Sequence, residues 1–346
     1  MSTNLERELR EQPEALARLL DQQRSYAERV AELFRREDVD YVLIASRGSS
    51  SNAARYAQYL LGRAHRVPVS FATPSLFTLY HQPPRLDGAL VIGISQSGES
   101  PDVVEVLAEA RRQGRPTVAL TNTPGSPLGR LADGVLKLEA GDERAVAATK
   151  TYVNSLGAVA LLFSVLTDDR AARDELAHVP AQLARQIERS WEESDAIGRL
   201  GDIGGGTVVS RGINYCTAFE IALKIRELSG LLFEPFSAAD LMHGPVAAIS
   251  AGWPVIAVAP SGPALAQLEQ AIDEVARRGA RFVVISDAQS ALARGEVALP
   301  LDPGVPEWLS PLVAVVPGQL AALRLARLRG VDLDAPLGLS KVTLTT

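Results

Sequence analysis

Glu220, Lys224 and Glu227 fall at i, i+4 and i+7 in the stretch RGINYCTAFEIALKIRELSGLLFEPFSAADLMHGP, residues 211–245, which puts them on one face of a helix. The spacing alone is equally met by a surface ion pair. Phe219, Ile221, Leu223, Ile225 and Leu228 surround the charges, however, and point to a helix largely enclosed by protein. A partly buried carboxylate beside a lysine is a proton-transfer unit, because burial and neighbouring charge tune both groups. His243 follows in DLMHGP, just before the turn set by Gly244 and Pro245. It is the best acid–base candidate among four histidines: His65 and His81 lie in arginine-rich and proline-rich surroundings, and His178 in a polar connector.

A second chemistry belongs to two serine-rich segments. Ser46, Gly48, Ser49, Ser50 and Ser51 follow the apolar run YVLIA, and Ser95, Gln96, Ser97, Gly98 and Ser100 follow ALVIGI. A loop between a strand and a helix presents unsatisfied backbone N–H groups and hydroxyl donors at the positive end of the helix, which suits an anion. Serine is also a good helix cap, but two such loops with this many hydroxyls favour phosphate. GxxxxGK[ST] and GxGxxG are both absent, so a phosphorylated small molecule fits better than ATP or NAD.

These residues need a scaffold, and the pattern supplies one. Residues 4–36 read as one or two amphipathic helices, through Leu5, Leu9, Leu16, Leu19 and Leu20, with Pro13 near a joint. YVLIA at 41–45, VPVSFA at 67–72, ALVIGIS at 89–95, TVALT at 117–121 and GVLKLE at 134–139 read as buried strands. Helical stretches at 53–61, 99–113 and 149–166 alternate with them, as in a parallel sheet covered on both faces. After a charged helical connector at 168–198 the plan returns. TVVSRG at 207–212 matches LIASRG at 43–48, and VIAVAPSG at 255–262 matches VIGISQSG at 91–98, both displaced by 164 residues. RFVVISD follows PTVALTN at an offset of 165. A duplicated α/β domain with about five strands per sheet is expected. The second copy reads APSGPA where the first reads SQSGES, so the two halves are not expected to bind the same ligand alike.

Composition agrees. At roughly 150 residues per domain, 346 residues suggest two domains. Apolar residues at 47% and charged residues at 22% are ordinary for a folded soluble chain. A net charge of -6 argues against a nucleic-acid partner but leaves room for a local anion site. Cys216 is the one cysteine, which excludes an intrachain disulfide or a multi-cysteine metal site, and it reads as a small buried residue. Only Lys137, Lys150, Lys224 and Lys341 are lysines among 35 basic residues, so each lysine draws notice. The polar start and the lack of an apolar run of membrane-spanning length read as cytosolic, with no membrane partner.

SQSGES, AATK at 147–150, the EIALKIRE helix, the HGP turn and the terminal LRGVDLDAPLGLSKVT together resemble the tandem phosphosugar isomerase (SIS) family, over most of the chain. The resemblance extends to the isomerase half of glucosamine-6-phosphate synthase and to the free-standing glucosamine-6-phosphate deaminases of the same fold. It implies two tandem three-layer α/β/α domains, flavodoxin-like: a helical segment at 1–30, domains at 31–167 and 199–333 joined by 168–198, and a tail at 334–346 closing the active site. It implies Ser50, Ser95, Gln96, Ser97 and Ser100 as phosphate ligands, with Ser49, Ala147, Lys150 and Glu220 also at substrate-binding positions. Glu227 resembles the base that moves a proton between C1 and C2 of the open-chain sugar, with Lys224 and Glu220 as its polar partners. His243 is similar to the ring-opening histidine that reaches the site from the other subunit of a homodimer. Lys341 resembles the lysine of the closing tail.

The implied reaction is glucosamine 6-phosphate plus water to fructose 6-phosphate plus ammonia, without cofactor or metal. Alternatives are ammonia-dependent or partner-supplied synthesis, deglycation of another aminated sugar phosphate, and a non-catalytic phosphosugar sensor. Glu227 and Lys341 speak for an enzyme. The chain departs from the synthase in three places. It begins Met1, Ser2, Thr3, with no nucleophilic cysteine and no room for a glutaminase domain. Arg47 stands where the synthase has cysteine, and Ala148 where it has serine.

Overall fold

Short β-branched and aliphatic runs build ten parallel strands among the described residues. The computed structural model describes residues 2–36, 38–334 and 341. The chain divides into two compact units. One gathers Glu11–Arg144 and Ala148–Pro180, together with Lys341; the other runs from Ala181 onward and includes the N-terminal residues up to Arg10 and Ala145–Ala147.

The first unit holds β1 Tyr41–Ser46, β2 Val69–Phe71, β3 Ala89–Ile94, β4 Thr117–Thr121 and β5 Gly134–Lys137, in the order β2-β1-β3-β4-β5. Leu43, Ala45, Ala89, Val91 and Ala119 form one apolar face with Val103, Val106, Leu107 and Ala110 of the helix Pro101–Arg112. The alternate residues Val42, Ile44, Leu90 and Ile92 are buried as well, and the helix Gly48–His65 contacts β1 and β3. Covering both faces is why these strands read as continuous apolar runs rather than alternating ones. Each buried Val, Leu or Ile contributes about 1.5–3 kcal/mol. The helix Lys150–Leu166 is buried along its length, and a Cβ on its Gly157 would lie 2.4 Å from Leu16 Cδ1.

The second unit repeats the plan with β6 Gly205–Ser210, β7 Leu232–Ser237, β8 Pro254–Val258, β9 Arg281–Ser286 and β10 Val297–Pro300. Its order, β10-β9-β8-β6-β7, is that of the first sheet read from the opposite edge. Val209, Val255, Ala257 and Val284 pack with Leu268, Ile272 and Val275 of the helix Leu265–Ala276. The repeat is visible in the backbone as well. Gly48 and Gly212, one repeat apart, both have positive φ (52° and 64°), directly after an extended arginine, Arg47 or Arg211. Such a φ is cheap for glycine alone.

Several expectations are corrected. Pro13 lies inside the helix Asn4–Gln22, and the break falls at Gln23, before the helix Arg24–Phe34. Burial of Leu5, Leu9, Leu16 and Leu19 outweighs the lost N–H bond and ring clash, about 3 kcal/mol. The segment SRGSSSN is not a loop throughout, because the helix already starts at Gly48 and takes in Ser49, Ser50 and Ser51. One helix, Glu307–Leu328, is long and apolar enough to cross a membrane by composition, yet 94% of that stretch is buried inside the protein. Its regular part, Ser310–Leu328, is a core helix with Pro317 and Gly318 in its interior. A Cβ on Gly318 would sit 2.2 Å from Ile221 Cγ1, so glycine lets this helix close on the helix Tyr215–Ser229.

Candidate functional site

In the first unit the chain reverses its sheet order between β1 and β3, which pair in parallel up to Ser46↔Ile94. At such a switch point the following helices leave on opposite faces and open a crevice beyond the strand ends. Both serine segments lie here. Ser49, Ser50 and Ser51 occupy the first turn of Gly48–His65, and Ser95 to Ser100 link β3 to Pro101–Arg112. Ser46 Oγ lies 3.2 Å from Ser51 Oγ. Ser95 Oγ accepts from Gly98 N–H and Ser97 Oγ from Glu99 N–H, each at 3.2 Å. As acceptors, both hydroxyls retain a proton with which to bind an anion. The Gln96 carbonyl is tied to Thr121 Oγ1 at 3.2 Å and Asn122 N–H at 3.0 Å, anchoring the loop to the end of β4. Gly98 has φ +68°, and a Cβ there would lie 2.0 Å from Ser126 Oγ. Ser100 occupies the helix N-cap but makes no side-chain cap bond, whereas Ser126 caps its own short helix through Gly129 N–H. Capping therefore does not account for Ser100.

The matching crevice of the second unit is differently furnished. Ser210 Oγ is turned to the Val258 carbonyl at 2.8 Å, and Ser261 N–H to Asp287 at 2.6 Å. A Cβ on Gly262 would meet Glu307 Cγ at 2.6 Å, and one on Gly212 would be 4.0 Å from Glu307 Oε1. Glu307 thus lies against both of these glycines in the duplicate, where the first copy has its serine-rich loops.

On the helix Tyr215–Ser229 the three charged residues do come together. Lys224 Nζ lies 3.5 Å from Glu220 Oε1 and also hydrogen-bonds Glu227 Oε2. Glu220 and Lys224 have side-chain exposures of 0% and 1%, while Glu227 keeps 26%. The face is enclosed and is no surface ion pair. Its one lysine serves two carboxylates, and only the Glu227 end reaches solvent. Gly230, with φ +71°, ends the helix. His243 is exposed behind the short helix Ala238–Met242, its backbone N–H bonded to the Asp240 carbonyl at 3.1 Å.

The segment around AATK holds a carboxylate that the motif reading missed. Glu143, whose side chain is fully buried, accepts from Thr149 N–H at 3.0 Å, Thr151 N–H at 3.1 Å, Thr151 Oγ1 at 2.7 Å and Lys341 Nζ at 2.8 Å. Burial pushes its carboxyl up, but the Lys341 charge and these donors outweigh burial and hold it below the ordinary value. An acidic residue just ahead of a motif lysine was the only available signal. Lys150 is buried, with Nζ 2.5 Å from Glu11 Oε2 and 2.7 Å from the Asp142 carbonyl. Ala147 is buried. Apart from Lys341, the expected closing tail after Asp334 lies outside the described residues.

Cys216 is buried with Sγ 3.1 Å from the Ile213 carbonyl, a packing position. His65 packs edge-on against Phe34. His81 is exposed, and so is His178, which bonds the Asp174 carbonyl. Among the described residues no group of three or more His, Cys, Asp or Glu side chains is placed to hold a metal ion.

Two doubly wound units, one with a hydroxyl-lined switch point, define a tandem α/β protein. The SIS domain family matches residues 37–165 and 207–329, and the chain belongs to the tandem SIS-domain phosphosugar isomerase and deaminase family. It is 33% identical over 340 residues to the glutamine–fructose-6-phosphate aminotransferase (isomerizing) of Pyrococcus horikoshii, covering 97% of this chain and 56% of that protein. The chain thus spans about half the length of the curated relatives it matches. Among solved structures, the C-terminal domain of glucosamine-fructose-6-phosphate aminotransferase from Francisella tularensis superposes with TM-score 0.87 at 28% identity, covering 96% of this chain and 98% of that one. Glucosamine-6-phosphate deaminase from Thermotoga maritima shares the fold, with TM-score 0.75 at 20% identity over 96% of this chain and 99% of that one.

Proposed function

We propose that the protein converts an amino-sugar 6-phosphate by aldose–ketose proton transfer with loss of ammonia: glucosamine 6-phosphate plus water gives fructose 6-phosphate plus ammonia. The observation that carries the reading is Glu227, a carboxylate open to solvent and tied to a buried lysine that a second, fully buried carboxylate also engages. Phosphate binds through Ser50, Ser95, Gln96, Ser97 and Ser100, with Ser49 beside them. Neutral donors and helix N-terminal amides suffice for this role. His243 assists opening of the sugar ring and exposes the C1 aldehyde. It comes from a second copy of the chain in a homodimer, a reading supported by the exposure of Met242 and His243.

Glu227 then removes the C2 proton and returns one to C1, leaving an imine at C2. Lys224 keeps Glu227 oriented, and the Lys341 ammonium steadies negative charge on the sugar oxygen. Water adds to the imine carbon and expels ammonia. Every step runs equally in reverse, and the aminotransferase names of the relatives favour ammonia-dependent synthesis as the second reading. A coupled assay that supplies glucosamine 6-phosphate and measures ammonia and fructose 6-phosphate tests the proposal. Both products should appear in equal amounts, and their absence from a folded dimer refutes the deaminase reading.

A further inference from the structure

We infer that Arg47 supplies a fixed positive charge to the phosphate crevice and that the buried Asp102 carboxylate holds it there. The inference rests on the phosphate reading above. Arg47 is the extended residue between β1 and the helix Gly48–His65. Its Nε lies 2.5 Å from Asp102 Oδ2. Asp102 is in the first turn of the helix Pro101–Arg112, and its other oxygen accepts from Val103 N–H at 2.8 Å. The bridge therefore joins the starts of the two helices that carry the serine segments. Exposure across it is unequal: the Asp102 side chain is 2% exposed and the Arg47 side chain 52%. A guanidinium gripped at Nε by a buried partner keeps its two terminal nitrogens as donors, a geometry suited to a phosphate oxygen pair.

The duplicate supplies an internal comparison. Arg211 stands one repeat after Arg47 with the same extended backbone, but Ala266 stands one repeat after Asp102. Glu307 lies against Gly262 and Gly212 there. The carboxylate that tethers the arginine is present in the copy that carries the two serine-rich loops and absent from the copy that reads APSGPA. The remaining phosphate ligands are neutral, so Arg47 accounts for a coulombic share of affinity that salt screens.

The test is calorimetric titration with inorganic phosphate at low and high ionic strength, on Arg47→Gln, Arg47→Lys, Asp102→Asn and Ser97→Ala, each checked for an unchanged melting curve. Arg47→Gln should weaken binding about tenfold and flatten its dependence on salt, a change that a merely structural bridge would not produce. Arg47→Lys should keep the salt dependence with reduced affinity, and it decides the question if the glutamine variant does not fold. Asp102→Asn should weaken binding by a smaller factor. Wild-type affinity and salt dependence in both Arg47 variants, with binding lost in Ser97→Ala, overturns the inference while sparing the phosphate site. Wild-type binding in Ser97→Ala and in both Arg47 variants overturns the phosphate reading and this inference together.

Discussion

Replacing Lys224 by methionine removes the cation that pairs with both carboxylates and breaks its ion pair with the fully buried Glu220. At 3.5 Å the Glu220–Lys224 attraction is about 5 kcal/mol with an effective dielectric of ~20. Breaking a buried pair from one side typically costs about 3–5 kcal/mol, and that is the expected loss for Lys224→Met. The double variant Glu220→Gln/Lys224→Met removes both charges of the buried pair, leaving only the partly exposed Glu227 without its lysine, and should recover at least about 2 kcal/mol of it. Trp191, Trp253 and Trp308 all lie in the unit that holds this helix, so tryptophan fluorescence during urea denaturation reports on that unit. A double variant no more stable than Lys224→Met would refute the argument that Lys224 is buried as the counter-charge of Glu220.

Other outcomes follow from the same geometry. The Glu143 carboxyl is held low in the fold, so its contribution is complete above the ordinary value of 4.5 and fades as pH falls through the depressed one. The stability gap between wild type and Glu143→Gln, about 1–3 kcal/mol near neutrality, should therefore close in acid, as followed by calorimetric melting. Gly98→Ala forces a Cβ to within 2.0 Å of Ser126 Oγ at φ +68°, and should cost about 2–4 kcal/mol in denaturation and weaken phosphosugar binding. With Glu307 set against Gly262 and Gly212 in the duplicate, calorimetry should find one phosphosugar per chain; two equal sites would contradict the role given to Glu307.

Much of the fold was legible because the strands are short, almost wholly apolar and repeated in register, so one copy confirms the other. The failures have local causes. Pro13 read as a joint, but burial of Leu5, Leu9, Leu16 and Leu19 along the helix's apolar face overrides its propensity penalty. Ser49, Ser50 and Ser51 read as loop because the positive φ that starts their helix falls on a glycine, a residue that also signals a turn. At the site, the spacing of Glu220, Lys224 and Glu227 put them on one face, but their burial depends on Gly318 admitting a distant helix, which no local pattern reveals. Glu143 went unnoticed because a lone carboxylate has no spacing to betray it; its donors come from Thr149, Thr151 and the remote Lys341.

The central claim is that Glu227 shuttles a proton between adjacent carbons of a phosphosugar, and exchange with solvent measures it directly. Fructose 6-phosphate and glucosamine 6-phosphate are each incubated with the protein in deuterated buffer, and the C1 and C2 proton signals are followed by NMR. Wild type should wash deuterium into C1 of the ketose or C2 of the amino sugar, and Glu227→Gln, equally folded, should be slower by at least about a hundredfold. Exchange at an undiminished rate in Glu227→Gln, or none in the wild type with either sugar, would contradict the account.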